Sequence, residues 1–226
     1  MLKAVIFDFD GVIADSEMMH LNAFNQALKP HNCLITKHDY FDKFLGLTDI
    51  ECFQMLVDQG QLELDQIGIS KIAEDKKHIF EKMMQKTTVI IEGVIDFLDM
   101  LRENNIPLAI YSGALRSEVE CILKNADLLH RFSVIVAADD VQKPKPHPQG
   151  FLLALQNLNL KTNNHISPDQ CVVIEDSHWG IDAAIDAGMN TVAVTNSYAP
   201  EHLSDAKLIV ERLDRITLDK LNTMCE

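Results

Sequence analysis

The amino-acid sequence predicts an α/β fold, in which a doubly wound parallel sheet of the Rossmann-like type carries an inserted helical cap. Three observations predict it: short apolar runs that recur along the chain, helical segments between them, and one long interval without a strand pattern. Strands covered by helices on both faces read as continuous apolar runs rather than alternating ones. Runs of this kind that alternate with helices build a parallel sheet.

The predicted strands are apolar runs of three or four residues, most of them rich in β-branched side chains. They lie at residues 4–7, 108–111, 134–136, 171–174 and 191–194. Apolar residues at helical spacing follow in the intervals, for example at positions 94, 97, 98 and 101. From Ile209 onward the chain predicts a last short strand and a closing helix.

The interval from Asp15 to Glu92 is largely helical in pattern and too long for an ordinary connection between strands. We therefore expect two domains, an α/β core at 1–14 and 93–226 and a helical cap at 15–92. An insertion after the first strand would lie over the carboxyl ends of the strands, where open α/β sheets bind ligands.

Composition narrows the class of protein. The 226 residues are 47% hydrophobic and carry a formal net charge of −14, which predicts a globular protein that repels nucleic acid and anionic lipid. The five cysteines are scattered and predict neither a disulfide framework nor a zinc site. With no apolar run long enough to span a membrane and no cleavable signal, we expect a cytoplasmic protein. We also expect a monomer or weak dimer.

Polar residues follow almost every predicted strand. In chain order they are Asp8, Asp10, Ser112, Gly113, Lys143, Glu175 and Asp176. Because the carboxyl ends of parallel strands meet at one edge of the sheet, we expect these groups to converge on one crevice.

The acidic residues of this set predict a site for a hard cation. Asp8 and Asp10 are two residues apart and point to the same side of an extended segment. Carboxylates so close repel each other unless a cation or a shared proton relieves them. With Glu175 and Asp176 they form an all-oxygen cluster, which favours Mg²⁺.

The remaining groups suit phosphoryl transfer to an aspartate. Lys143 would contact the nucleophile Asp8 and the phosphate oxygens, and Ser112 and the Gly113 amide would donate to those oxygens. Asp10 would protonate the leaving oxygen and then activate water. Taken singly, each group also fits a plain role in a turn, a solvated loop or a helix start. Their shared position at strand ends favours function.

These motifs resemble those of the haloacid dehalogenase-like hydrolase superfamily over nearly the whole chain. Residues 8–12 resemble its DxDGx motif, Ser112 its second motif, residues 143–146 its KPxP motif, and residues 175–180 its EDSxxG motif. The helical interval resembles the cap of the subgroup that contains phosphoglycolate phosphatase and β-phosphoglucomutase.

The resemblance implies a Mg²⁺-dependent phosphatase that hydrolyses a small phosphorylated metabolite through an aspartyl-phosphate. It implies Asp8 as nucleophile, Asp10 as acid and base, and Ser112 and Lys143 as phosphate ligands. It implies metal binding by Asp8, the Asp10 backbone carbonyl and Asp176, with Glu175 a ligand or a neighbour of the ligands.

Further candidate substrate ligands are Ser16, His20, Gly46 and Arg116. Ser16 and His20 are four residues apart on a predicted helix and face the same way, and a histidine matches this position in the mutase-like subgroup. Gly46 lies in a loop that resembles the K-G-x-x-R segment of β-phosphoglucomutase. Arg116 lies shortly after Ser112 and is a candidate to bind an anionic group of the substrate. A solvated position on a helix would explain it equally well.

Two other functions compete with hydrolysis. A phosphosugar mutase would need cap cations for a second phosphate, and Leu45 and Asp49 stand where the β-phosphoglucomutase loop has them. A non-catalytic receiver-like module would be smaller and would lack the helical insertion. The sequence favours the hydrolase and leaves its substrate open among sugar phosphates, phosphoglycolate and nucleotide monophosphates.

Overall fold

A computed structural model describes residues 1–45, 47–84 and 89–226 of the chain. Its contacts divide it into two compact units, Met1–Asp15 with Val89–Glu226, and Ser16–Thr88. The domain limits expected from the sequence differ from these by a few residues at each junction. Gly46, a predicted substrate ligand, lies outside the described residues. Among the described residues, no helix is both long and apolar enough to cross a membrane.

The first unit contains a sheet of six parallel strands. In chain order they are β1 (Ala4–Phe7), β2 (Leu108–Tyr111), β3 (Val134–Val136), β4 (Cys171–Glu175), β5 (Asn190–Val194) and β6 (Leu208–Val210). The spatial order is β3-β2-β1-β4-β5-β6, and all neighbouring pairs are parallel. The predicted fold class is therefore confirmed.

The helices occur in both units. In chain order they are α1 (Glu17–Leu28), α2 (Lys37–Asp39), α3 (Asp49–Asp58), α4 (Gln66–Met84), α5 (Val94–Glu103), α6 (Arg116–Asn125), α7 (Gln149–Thr162), α8 (His178–Asp186) and α9 (Leu218–Met224). The first four belong to the unit Ser16–Thr88, which has its own hydrophobic core. The other five belong to the α/β unit.

Burial on both faces explains why the strands are continuous apolar runs. All four residues of β1 are fully buried. Ile6 belongs to a core cluster that includes Phe151 of α7. Phe7, on the opposite face, meets the rings of Phe97 and Phe132 edge-on, with centroids 5.9 Å apart in each pair. A polar side chain in β1 would therefore be buried on either face.

The strand order creates a switch point between β1 and β4. From β1 the chain adds β2 and β3 on one side, and it then crosses to β4 on the other side. Open α/β sheets bind ligands in the crevice outside the carboxyl ends of the strands at such a point. Asp8 directly follows β1 and Asp176 directly follows β4, so both acids lie at this crevice.

Candidate active site

Asp8 is held at the carboxyl end of the central strand. Its backbone N–H donates to the Ile174 carbonyl at 2.9 Å, which continues the ladder between β1 and β4 by one residue. Only 6% of the residue is exposed. Burial raises the pKa of Asp8 to about 7, and the nearby Glu175 and Asp10 carboxylates act in the same direction, against the opposing effect of Lys145.

Lys145 is the cation that faces Asp8. Its Nζ donates to Asp8 Oδ1, and to Glu175 Oε1 at 2.6 Å. The ammonium group lies 5.0 Å from the ring centre of Tyr111 and 5.4 Å from that of Phe151, within the range of cation–π attraction. Burial alone would lower the pKa of Lys145, but the two carboxylates outweigh it and raise that pKa. Lys145 therefore stays charged.

The structure places Lys145, and not the predicted Lys143, against Asp8. Lys143 is exposed, and its backbone N–H donates to Gln149 Oε1 at 2.9 Å, which fixes this part of the loop to the start of α7. The side chain that reaches the carboxylates belongs to Lys145, two residues later. The sequence held a signal for this, because residues 145–148 read KPHP and fit KPxP as well as residues 143–146 do.

Glu175 is the most enclosed of the acidic residues. It is fully buried, and its Oε2 accepts from the backbone N–H groups of Asp176 and Ser177 at 2.9 Å and from the Ser177 hydroxyl at 2.8 Å. A Cβ at Gly180 would overlap this carboxylate. The glycine in the first turn of α8 therefore makes room for Glu175.

Asp8, Glu175 and Asp176 together fit a divalent cation. One carboxylate oxygen from each lies within 4.8 Å of the others. Burial raises the pKa of Asp176 well above its ordinary value, and the charges of Glu175 and Asp8 add to this. Three buried carboxylates with one lysine carry an excess of negative charge, which a cation would relieve. An all-oxygen donor set of this kind suits Mg²⁺.

Ser112 and Asp10 lie beside this cluster. Ser112 is fully buried after β2, and its hydroxyl is 3.5 Å from Asp10 Oδ2, the length of a weak hydrogen bond. Its Oγ also accepts from the Ala114 N–H at 2.9 Å. Gly113 is exposed in the intervening turn. The Asp10 carboxylate is not one of the grouped metal donors in the described chain, so binding through its backbone carbonyl stays a prediction.

Arg116 has contacts that suit a structural role. Its guanidinium donates to the Ile135 carbonyl at 2.8 Å and to the Asp140 carboxylate at 2.5 Å. These bonds connect the start of α6 to β3 and to the segment that follows β3. The predicted contact of Arg116 with a substrate anion stays a prediction, which these bonds disfavour.

The loop after β5 contributes two polar residues that the sequence reasoning missed. The Ser197 hydroxyl donates to Asp176 Oδ2, and the Asn196 side-chain amide donates to the Gly11 carbonyl at 2.7 Å. The rule that polar residues follow each strand, which singled out Asp8 and Asp176, applies equally to this loop. The position of Asn196 and Ser197 shortly after β5 was therefore the sequence signal that pointed to them.

In the helical unit, the predicted ligand His20 belongs to a partly buried polar cluster. Lys76 is 1% exposed, and its Nζ is 2.8 Å from His20 Nδ1 and donates to Asp49 Oδ1 at 2.6 Å. The His20 ring stacks on Phe80 with centroids 4.0 Å apart. Burial lowers the pKa of His20 well below its ordinary value, and Lys76 lowers it further. Ser16, the other predicted ligand here, is fully buried at the start of α1.

Lys76 could have been found from its position in α4. Ile69, Ala73, Lys76 and Phe80 follow one another at intervals of three and four residues, which places the lysine on the apolar face of the helix. A charged residue at a buried helical position requires partners. In this unit those partners are His20 and Asp49.

Comparison with known proteins gives consistent matches. The model of a family described as haloacid dehalogenase-like hydrolase matches residues 5–194. A phosphorylated carbohydrates phosphatase of Thermotoga maritima is 29% identical, over 93% of this chain and 91% of its own. A fructose-1-phosphate phosphatase of Escherichia coli is 30% identical, over 84% and 95%. The crystal structure of a β-phosphoglucomutase from Clostridium difficile has a TM-score of 0.82 at 25% identity, with 100% of this chain and 97% of that one covered.

Proposed function

Because the chain belongs to the haloacid dehalogenase-like hydrolase family, we propose that it is a Mg²⁺-dependent phosphatase that carries the phosphoryl group on Asp8. It is a phosphoric monoester hydrolase, in agreement with relatives named as phosphatases. The observation that carries the proposal is the setting of Asp8, buried at a strand end against Lys145 and beside two further carboxylates.

In the proposed first step, a carboxylate oxygen of Asp8 attacks the phosphorus atom of the substrate. The bond from phosphorus to the ester oxygen breaks, and Asp10 donates a proton to the departing oxygen. Lys145 and the Ser112 hydroxyl donate to the phosphoryl oxygens as charge moves onto them. The products are the free alcohol and a phosphoryl group bound to Asp8.

In the second step, a water molecule attacks the same phosphorus atom. Asp10, now ionised, accepts a proton from the water, the acyl phosphate bond breaks, and inorganic phosphate leaves. Asp8 returns to its starting state and Asp10 is again protonated. The two steps together consume one water molecule and need no oxidant and no other co-substrate.

Asp8, Glu175 and Asp176 are the residues that would hold Mg²⁺. The ion would offset the negative charge that repels an anionic phosphate from the anionic Asp8. Lys145 already supplies one positive charge at this point. Lys145 and the metal would then act together on the Asp8 carboxylate and on the substrate phosphate.

We propose a phosphorylated sugar or a comparable small metabolite as the substrate, and a cytoplasmic site of action. The relatives named above act on phosphorylated carbohydrates and on fructose 1-phosphate, by their names. Ser16 and His20 stay predicted substrate ligands. Asp49 supports hydrolysis over isomerisation, since this position presents an acid where a second phosphate would need a cation.

The first test is hydrolysis of p-nitrophenyl phosphate with Mg²⁺ and with EDTA, followed by a panel of phosphorylated metabolites. We expect release of inorganic phosphate with Mg²⁺, loss of activity on chelation, and no turnover by Asp8→Asn in a folded preparation. Normal turnover by Asp8→Asn would refute Asp8 as the nucleophile. Activity that persists in EDTA would refute the metal requirement.

A mutase remains the second candidate, because the chain is similar over its full length to a β-phosphoglucomutase structure. The two reactions differ in their product from a hexose 1-phosphate. The phosphatase releases phosphate and free hexose, whereas the mutase forms hexose 6-phosphate and depends on a bisphosphate activator. Hexose 6-phosphate as the main product would favour the mutase over the hydrolase.

A further inference from the structure

We propose that Asn196 and Ser197, in the loop after β5, position the metal-binding acids of the site. The inference rests on the proposed function, because it assigns these residues a role toward the same Mg²⁺ site. They do not belong to the predicted catalytic set, and they contact two different loops that carry it. The pair would fix the distance between the loop after β1 and the loop after β4.

Ser197 acts on Asp176. Its hydroxyl donates to Asp176 Oδ2, in a bond between residues 21 positions apart. A carboxylate has two oxygens with about four acceptor sites, so one hydroxyl bond leaves capacity for a cation. The bond restricts rotation of the Asp176 side chain, which is 5% exposed.

Asn196 acts on the loop that follows β1. Its side-chain amide donates to the Gly11 carbonyl at 2.7 Å, one residue after Asp10. Gly11 has φ +76°, a conformation that favours glycine, and a Cβ there would overlap Asp176 Oδ2 and come within 2.7 Å of Ser197 Oγ. The loops after β1, β4 and β5 therefore meet at one point, with Gly11 between them.

The neighbouring Tyr198 anchors this loop to α8. Its ring meets His178 edge-on at 5.5 Å and Trp179 at 5.8 Å between centroids. His178 and Trp179 form the first turn of α8, which begins two residues after Asp176. Ser197 is therefore fixed through both of its chain neighbours, by the bond of Asn196 to Gly11 and by the ring contacts of Tyr198.

Groups that orient metal ligands without touching the metal typically change metal affinity by about 10- to 100-fold when they are removed. We expect Ser197→Ala to weaken Mg²⁺ binding by about that factor. At saturating Mg²⁺ the turnover number should recover to within a few-fold of the wild type, since Asp8, Asp10 and Lys145 are unchanged. A loss confined to Mg²⁺ affinity separates positioning from a role in the chemical step.

The test measures binding of Mg²⁺ itself, by titration calorimetry on the full chain. Trp179 gives a second readout, because it is the single tryptophan of the chain and packs on Tyr198. Its fluorescence should change on addition of Mg²⁺ with the dissociation constant that calorimetry reports. Ser197→Thr keeps the hydroxyl and should restore most of the affinity. Ser204→Ala removes an exposed hydroxyl further along the same segment and serves as the matched control.

The outcomes separate this inference from the proposed function. Wild-type-like affinity in a folded Ser197→Ala protein would overturn the inference and leave the phosphatase intact. Absence of Mg²⁺ binding by the wild type would overturn both. If Ser197→Ala does not fold, Asn196→Ala decides, because Asn196 is largely exposed and its loss removes only the bond to the Gly11 carbonyl. Unchanged Mg²⁺ affinity in Asn196→Ala would then count against the pair.

Discussion

Lys145 places one ammonium group against two buried carboxylates, those of Asp8 and Glu175. An ion pair in such a setting is not a simple gain in stability, since burying the charges costs free energy that their attraction must offset. Removal of the lysine would leave uncompensated negative charge beside Asp8, the proposed nucleophile. The same charge would then repel the phosphate group that Asp8 would attack in the proposed reaction.

The first prediction compares the two lysines of the loop. Lys145→Met should lower kcat/KM by at least about 100-fold, as loss of a group that stabilises developing charge commonly does. Lys143→Met, the matched control, changes an exposed side chain and should stay within about twofold of the wild type. Steady-state kinetics with p-nitrophenyl phosphate decide, with circular dichroism to verify folding. A larger loss of kcat/KM in Lys143→Met than in Lys145→Met would show that Lys143 is the lysine that acts in the site.

The second prediction concerns the protonation of His20. Burial and Lys76 lower the pKa of His20 below 6.5, so its folded-state pKa lies below the unfolded value. The stability due to the neutral ring is therefore present above pH 6.5 and is lost as the pH falls, by at most about 1.4 kcal/mol per pH unit. An NMR titration should show His20 neutral at pH 6.5, and Lys76→Met should raise its pKa. An unchanged pKa in that variant would contradict the contribution of Lys76.

At the scale of elements, the turn from β4 into α8 shows how backbone geometry supports the site. Glu175 ends the strand, its carboxylate accepts from the two N–H groups that follow, and Ser177 caps the helix by accepting from the Gly180 N–H at 3.2 Å. The carboxylate thus occupies the positive end of the helix, where a negative charge is favoured. Gly180 is the residue that lets it come so close.

The third prediction follows from that close approach. Gly180→Ala should lower the free energy of unfolding by about 1–3 kcal/mol, because the new Cβ would overlap the Glu175 carboxylate in a packed interior. Gly113→Ala is the control, since a Cβ there has nothing within 4 Å, and its effect should stay within about 0.5 kcal/mol. Urea unfolding of both variants measures the difference. Equal stabilities would show that α8 shifts without cost.

The sequence predicted the strands well because burial on both faces leaves little choice of residue. The observed β4 and β5 each extend one residue beyond the prediction, at Glu175 and Asn190. These end residues pair in the ladder through their backbones, whatever their side chains are. A polar side chain at either end of a strand therefore concealed the terminal residue, the last one in β4 and the first one in β5.

The site was only partly predictable from the sequence. One motif occurs twice in overlap, and one contact joins residues that are far apart in the chain. Asp8, Glu175 and Asp176 could be found because they end apolar strands or directly follow them. Residues 143–148 contain two overlapping KPxP patterns, and only the path of the loop decides which lysine reaches Asp8. The bond from Ser197 to Asp176 depends on how two loops meet, which no local pattern encodes.

At the scale of the whole molecule, charge sets the conditions of substrate binding. The chain carries a formal net charge of −14, while its proposed substrate is an anion. The long-range field therefore opposes approach to the site, and only local cations favour binding. Salt screens the long-range part more than it screens short contacts inside a pocket.

The fourth prediction is a reversed salt dependence. Raising KCl from about 10 mM to about 200 mM at saturating Mg²⁺ should lower KM for a phosphate monoester, because the repulsion is screened over a distance near 10 Å. The turnover number should change little. Initial rates at fixed pH measure both, with choline chloride as the control for specific effects of potassium. An increase of KM with salt would show that the local cations dominate.

As the proposed Mg²⁺ site, the buried carboxylates Asp8, Glu175 and Asp176 would also connect the lifetime of the protein in a cell to its supply of magnesium. A cation that binds only the folded chain shifts the folding equilibrium by mass action. When that cation becomes scarce, a larger fraction of molecules is open at any time, and those molecules are the ones that proteases remove. We therefore expect the amount of this enzyme to fall during magnesium starvation even when its synthesis is unchanged, so that catalysis and quality control respond to the same ion.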